Sequence, residues 1–171
     1  MRYADDFVIL ARYQGDALQD WIESKIEDWM GLQINREKTR TVNLRQPGES
    51  LDFLGFTFRF DKDLYGKPQR YLNVLPSKRS LSRERERLRE VTGPKQCFKP
   101  IPDLIKELNR HLQGWSNYFS FGYPRKSFRE LNHFVRSRMF GHLRRRSQRA
   151  YRLPEGETTY SHLKKLGLVY L

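Results

Sequence analysis

A chain of 171 residues suits one domain or two small modules, and its 37% hydrophobic and 13% aromatic content is enough to bury a core, which excludes a disordered basic tail. Its apolar runs fall far short of the roughly 20 residues that cross a bilayer, and residues 1–30 hold an acidic amphipathic segment where a secretory signal needs an unbroken apolar stretch; both observations argue against a membrane. The 33 Lys and Arg outnumber the 20 Asp and Glu by a net +13, while the lone cysteine, Cys97, can close no internal disulfide and fits a reducing, cytoplasmic setting.

In chain order, Tyr3-Ala4 and the β-prone run Phe7-Val8-Ile9-Leu10 flank Asp5-Asp6, a pattern that predicts a hairpin with a short first strand. From an Asp16 N-cap, Leu18, Trp21, Ile22, Ile26, Trp29 and Met30 keep helical spacing up to Gly31. Residues 32–34, 39–44, 51–60 and 70–75, separated by Pro47-Gly48 and by Tyr65-Gly66-Lys67-Pro68, predict a small antiparallel sheet. After a Ser77 N-cap, Leu81, Leu88 and Val91 predict a charged helix that ends at Gly93-Pro94. A second helix carries Ile101, Leu104, Ile105, Leu108, Leu112, Trp115 and Phe119 at steps of three and four, with Gly122 beyond its end. A third is expected over 127–149 on the stripe Phe128, Leu131, Val135, Met139 and His142-Leu143. The tail from Leu153 holds a loop, a short segment near Tyr160 and an apolar end.

The excess charge is localised. Residues 77–149 hold 19 basic and 6 acidic side chains, a net +13, whereas residues 1–76 hold 11 basic and 12 acidic ones. A concentrated positive field with interleaved aromatics is the footprint of nucleic-acid binding, because each Lys or Arg that neutralises a phosphate releases counterions. The change of composition at Ser77 divides the chain into 1–76, 77–152 and a tail, 153–171. The fold class expected is α+β, a sheet module followed by three helices.

Two carboxylates at a hairpin apex, Asp5 and Asp6, form a device that can hold Mg²⁺, a hard cation that takes one or two carboxylates plus substrate phosphates. Asp-Asp alone is weak evidence, since turns favour Asp for their own hydrogen bonds. The wider series is more specific: Tyr3-Ala4-Asp5-Asp6, then Leu32-Gln33-Ile34-Asn35-Arg36-Glu37-Lys38-Thr39, then Phe53-Leu54-Gly55-Phe56, and finally Leu108 to Phe119, reading LNRHLQGWSNYF. In this order and spacing the chain resembles the C-terminal part of group II intron reverse transcriptase/maturases, RNA-directed DNA polymerases in which a palm ends on these blocks and a thumb, or domain X, follows.

The resemblance implies a truncated palm of antiparallel strands with one helix over 1–76, an all-α three-helix thumb over 77–152, and a tail packed on the thumb. It implies Asp5 and Asp6 as catalytic metal ligands, Lys38 facing the incoming nucleotide or its pyrophosphate, and Phe53, Leu54, Gly55 and Phe56 as the strand pair that positions the primer. Lys38 is nearly as well explained as a solvated strand-edge lysine, and Phe53, Phe56 and Phe58 as sheet core. Trp115, Tyr118 and Phe119 are read as packing residues first. Contacts to RNA are expected instead of Arg83, Arg85, Arg87, Arg89, Lys95, Lys99, Arg110, Arg125, Lys126, Arg136, Arg144, Arg145 and Arg146, some of them paired with Glu84, Glu86 or Glu90.

The family also uses a third aspartate before the hairpin and a fingers region, neither of which appears in these 171 residues, so the isolated chain is expected not to copy RNA. Two readings follow. In one, the basic helices bind structured intron RNA and assist its folding, splicing or mobility. In the other, an upstream reverse transcriptase fragment completes a Mg²⁺-dependent polymerase acting on a primer-template. Beside these two stands a further possibility, a degenerate, inactive gene fragment.

Overall fold

Two short strands, β1 (Arg2–Tyr3) and β2 (Asp6–Phe7), pair antiparallel with Tyr3 opposite Asp6. They belong to the first of two units in this computed structural model, Met1–Thr41 and Val42–Leu171, and the structure describes residues 2–3, 6–13, 15–63 and 69–171. Both the apex residue Asp5 and the Tyr65-Gly66-Lys67-Pro68 loop lie outside the described residues.

The first helix, α1 (Asp16–Ser24), is capped by Gly15, so Asp16 stands in the first turn, where its charge complements the helix dipole, and not at the N-cap. The single helix expected through Met30 instead widens into a π turn over Lys25–Trp29, with the Met30 N–H reaching the Lys25 carbonyl at 3.2 Å. The strands expected over 32–34 and 39–44 do not form, and amides at Leu32, Ile34 and Thr39 bond locally instead. Glu27 Oε1 accepts the Ile34 N–H at 3.3 Å, and the Asn35 carbonyl accepts those of Lys38 and Thr39 at 3.1 and 2.9 Å. Arg36 joins this turn to the helix through Glu23 and Glu27 at 3.1 and 3.0 Å.

In the second unit, β3 (Ser50–Phe53), β4 (Phe56–Lys62) and β5 (Arg70–Pro76) form an antiparallel sheet in the order β3-β4-β5. The segment expected as one strand over 51–60 is broken at Leu54-Gly55, whose φ values of 49° and 80° make the two-residue turn that a right-twisted hairpin requires. Phe53 and Phe56 therefore face each other across the hairpin.

Helix α2 (Lys78–Val91) begins at the expected N-cap, with Ser77 Oγ accepting the Ser80 N–H at 3.2 Å. A 3-10 turn (Pro94–Gln96) follows, then α3 (Ile101–Tyr118), α4 (Arg125–Arg145) and the short α5 (Thr159–Lys165). The third helix starts two residues before its expected position and ends four residues earlier. No helix among the described residues is long and apolar enough to cross a membrane.

The core sits between these helices. Leu88, Leu104, Leu108, Leu112, Leu131, Val135, Met139 and Leu163 are fully buried or nearly so, each contributing on the order of 1.5–3 kcal/mol. Two asparagines fasten the last residues to this core. Asn109 donates to the Gly167 carbonyl at 2.8 Å and accepts the Val169 N–H at 2.9 Å, and Asn132 does the same with the carbonyl and N–H of Leu171, at 2.8 and 2.9 Å. The compositional step at Ser77 falls inside this unit, where sheet and helices pack together. The carbonyl of Gly55 accepts the Ser77 N–H at 2.8 Å and Ser80 Oγ at 2.9 Å, and Tyr118 Oη donates to the Leu54 carbonyl at 2.9 Å.

Candidate nucleic-acid interface

The C-terminal end of α2 leaves carbonyls without helical partners, and α4 supplies cationic side chains to them. Arg138, His142 and Arg145 share one face of α4 at steps of four and three. Arg145 donates to the Thr92 carbonyl at 2.8 Å, where His142 Nδ1 also lies at 3.2 Å, and Arg138 donates to Thr92 Oγ1 at 3.1 Å and to the Arg89 carbonyl at 3.4 Å. Arg146 extends the clamp to the carbonyl of Lys99. Burial lowers the pKa of Arg138 from the usual arginine range, and Arg145 and Arg89 push it the same way. Burial also lowers that of His142, against the pull of the Thr92 carbonyl, and its buried Nε2 has no hydrogen-bond partner.

Several carboxylates of this region pair within it. Glu90 pairs with Arg87 at 3.1 Å, Glu130 with Arg85 at 3.1 Å and Glu107 with Lys99 at 2.6 Å. Glu84, only 4% exposed, meets His111 at 3.0 Å; burial raises its pKa, and His111 and then Arg87 work against that rise. Many cations are held by neutral groups instead. Arg138, Arg145 and Arg146 sit on carbonyls, Arg89 lies over the Phe134 ring at 5.3 Å and Arg144 over Phe140 at 5.9 Å. Held this way, a guanidinium is positioned without losing its charge.

Of the residues expected to meet RNA, Arg83, Arg87, Arg89, Lys95, Arg110, Arg125, Lys126, Arg144, Arg145 and Arg146 are exposed, and Arg85, Lys99 and Arg136 are half-buried. Arg87 and Arg110 come together with His111 and Trp115 on a groove of about 470 Å³ between α2 and α3. Arg136 lines a second groove, of about 490 Å³, with Phe140 and Tyr160.

Lys38 is exposed in the turn after Asn35, not on a strand edge. Asp6 lies in β2 by its backbone, and the side chains of Asp5 and Asp6 lie outside the described residues. Among the described residues no three His, Cys, Asp or Glu gather as a metal site. Phe53 to Phe56 form the hairpin tip docked on the helices. The Phe56 ring meets Tyr118 at 5.5 Å and Phe119 at 4.9 Å, and Phe119 meets Trp115 at 4.5 Å. Phe119 is 5% exposed and Trp115 half-buried, whereas Tyr118 remains 56% exposed.

Sequence reasoning passed over Arg138 as a site residue and placed His142 on the apolar stripe. The legible signal was the 138, 142, 145 spacing, which puts three basic side chains along one edge of the helix that also carries Val135 and Met139.

No curated protein matches the chain. The family model of the group II intron, maturase-specific domain, matches residues 81–160, from the first turn of α2 to the first turn of α5. Residues 81–160, the three helices around one leucine-rich core, are thus similar to a group II intron maturase-specific domain.

Proposed function

We propose that the chain binds structured intron RNA through the basic surface of α2 to α4 and so assists the folding, splicing or mobility of a group II intron. The observation that carries this reading is the division of partners: Glu90, Glu107 and Glu130 pair within the domain, while arginines on its surface are fixed by carbonyls and aromatic rings. Positive charge fixed in place suits phosphates arranged along a folded RNA, recognised by shape and backbone contacts. Arg83, Lys95, Arg110, Arg125, Lys126, Arg136 and Arg144 are further members of that surface, and no membrane partner is needed.

The same reading gives the preceding residues the end of a reverse transcriptase palm, with 77–152 as its thumb and 153–171 as a tail on it. In a site completed by an upstream fragment, Asp5 and Asp6 would hold Mg²⁺, which supplies charge stabilisation at the transferring phosphate. Lys38 would stand near the nucleotide phosphates, and the Phe53-Leu54-Gly55-Phe56 hairpin would help place the primer end. The antiparallel pairing of Tyr3 with Asp6 supports a hairpin there.

A salt-titrated binding assay tests the main reading, comparing a folded intron RNA with an unrelated RNA of equal length. Preferential binding of the intron, weakened by Arg144→Gln and Arg110→Gln with a shallower salt dependence, is expected. Equal and weak binding of both RNAs, lost together at moderate salt, would overturn it. Mg²⁺-dependent primer extension on an RNA template, with and without an added fingers and palm segment, tests the polymerase role, and Asp5→Ala should abolish any extension.

A further inference from the structure

We propose that the loop between α3 and α4 is a stacking platform for unpaired RNA nucleotides, with Phe121 and Tyr123 taking bases and Arg125 and Lys126 taking the flanking phosphates. The inference rests on the RNA-binding reading and narrows it to one surface and one kind of RNA.

This loop treats its aromatic residues differently. Phe119 enters the core at 5% exposure, yet Phe121 and Tyr123 stay 70% and 63% exposed only a few residues later. They are not there because the loop is loose. Gly122, at φ 83°, presses so closely on β5 that a Cβ would lie 2.3 Å from the Val74 carbonyl oxygen, and the Tyr123 N–H donates to that same oxygen at 2.9 Å. The Tyr123 ring meets Tyr71 edge-on, centroids 5.5 Å apart. The backbone is docked on the sheet edge while the neighbouring rings stand in water, an arrangement that positions them in advance of a partner.

Charge selects the kind of partner. Between Glu107 and Glu130 the sequence contains no acidic residue, Arg125 and Lys126 are exposed directly after the rings, and Glu130 is occupied by Arg85. Exposed aromatic faces beside unneutralised cations are what a single strand uses, because every base has a face to stack and every step a phosphate to neutralise. In a duplex the bases already stack on one another, so the rings offer it nothing, although the cations still do.

The test uses the full chain, a single-stranded oligouridine on the order of 10 nucleotides long and an RNA duplex of the same length. Phe121→Ala and the Phe121→Ala/Tyr123→Ala double variant are expected to weaken single-strand binding by about tenfold per ring, leaving duplex binding within about twofold. Arg125→Gln/Lys126→Gln should weaken both probes and flatten the salt dependence of both. Thermal melting of each variant reports its folding, and Phe121→Ala remains informative if Tyr123→Ala disturbs the Tyr71 contact. Single-strand binding unchanged by loss of the rings, or rings that act only by holding two copies of the chain together, would overturn the platform. If the unaltered chain binds neither probe nor folded intron RNA, the broader RNA reading falls; if it binds RNA and only the ring variants are silent, the platform alone falls.

Discussion

Gly122 and Val74 touch through backbone: a Cβ on the glycine would stand 2.3 Å from the valine carbonyl oxygen and 2.7 Å from its Cβ. No flexible side chain is available to yield, and the φ of 83° is one that other residues adopt only with strain. Gly122→Ala is therefore expected to destabilise the unit by about 2–4 kcal/mol, read as a lower urea midpoint without a change in slope. Gly156→Ala, also at positive φ but with open space around its Cβ position, should cost about 1–2 kcal/mol, the strain alone.

His142 makes stability depend on pH with a definite sign. Burial holds its pKa below 6.5 in the folded chain, so the unfolded chain binds the proton more readily. The contribution is complete above about pH 6.5 and is lost as the pH falls below it. Urea midpoints should drop between about pH 7.5 and about pH 5.5, and His142→Asn should reduce that drop. An equal drop in the variant would assign the effect to another group.

Glu84 works in the opposite direction. Its pKa is raised by burial above 4.5, so its contribution is present below about pH 4.5 and declines as the pH rises through the folded value. Relative to the unaltered chain, Glu84→Gln should gain stability at alkaline pH compared with acid pH. A difference that does not vary with pH would show that His111 compensates the buried carboxylate fully.

Asn109 and Asn132 each satisfy both a carbonyl and an N–H of the final residues. Either asparagine replaced by Ala leaves two backbone groups to find water, at a cost of about 1–3 kcal/mol. Hydrogen exchange at the Val169 and Leu171 amides should accelerate at the site of each substitution, while amides in the middle of α3 change little.

The helical half of the molecule was readable because burial there obeys one period. Leu104, Ile105, Leu108 and Leu112, like Leu131, Val135 and Met139, recur at helical steps and all lie in the core. Strand-like composition over 32–34 and 39–44 says nothing about local competitors: Glu27 captures the Ile34 amide and the Asn35 carbonyl that of Thr39. The Leu54-Gly55 turn was hidden inside an apolar run, since a leucine at φ 49° contradicts its own preference and is tolerated only where docking on α2 and α3 holds it. Charge patterning located the basic region but could not separate roles, because Arg83, free on the surface, and Arg138, folded onto the end of α2, look alike in sequence.

Three donors, the N–H of the α2 N-cap Ser77, Ser80 Oγ in α2 and Tyr118 Oη in α3, end on the carbonyls of one two-residue hairpin turn. Tilting the sheet against the bundle would strain all three bonds, which tie the hairpin turn to both helices.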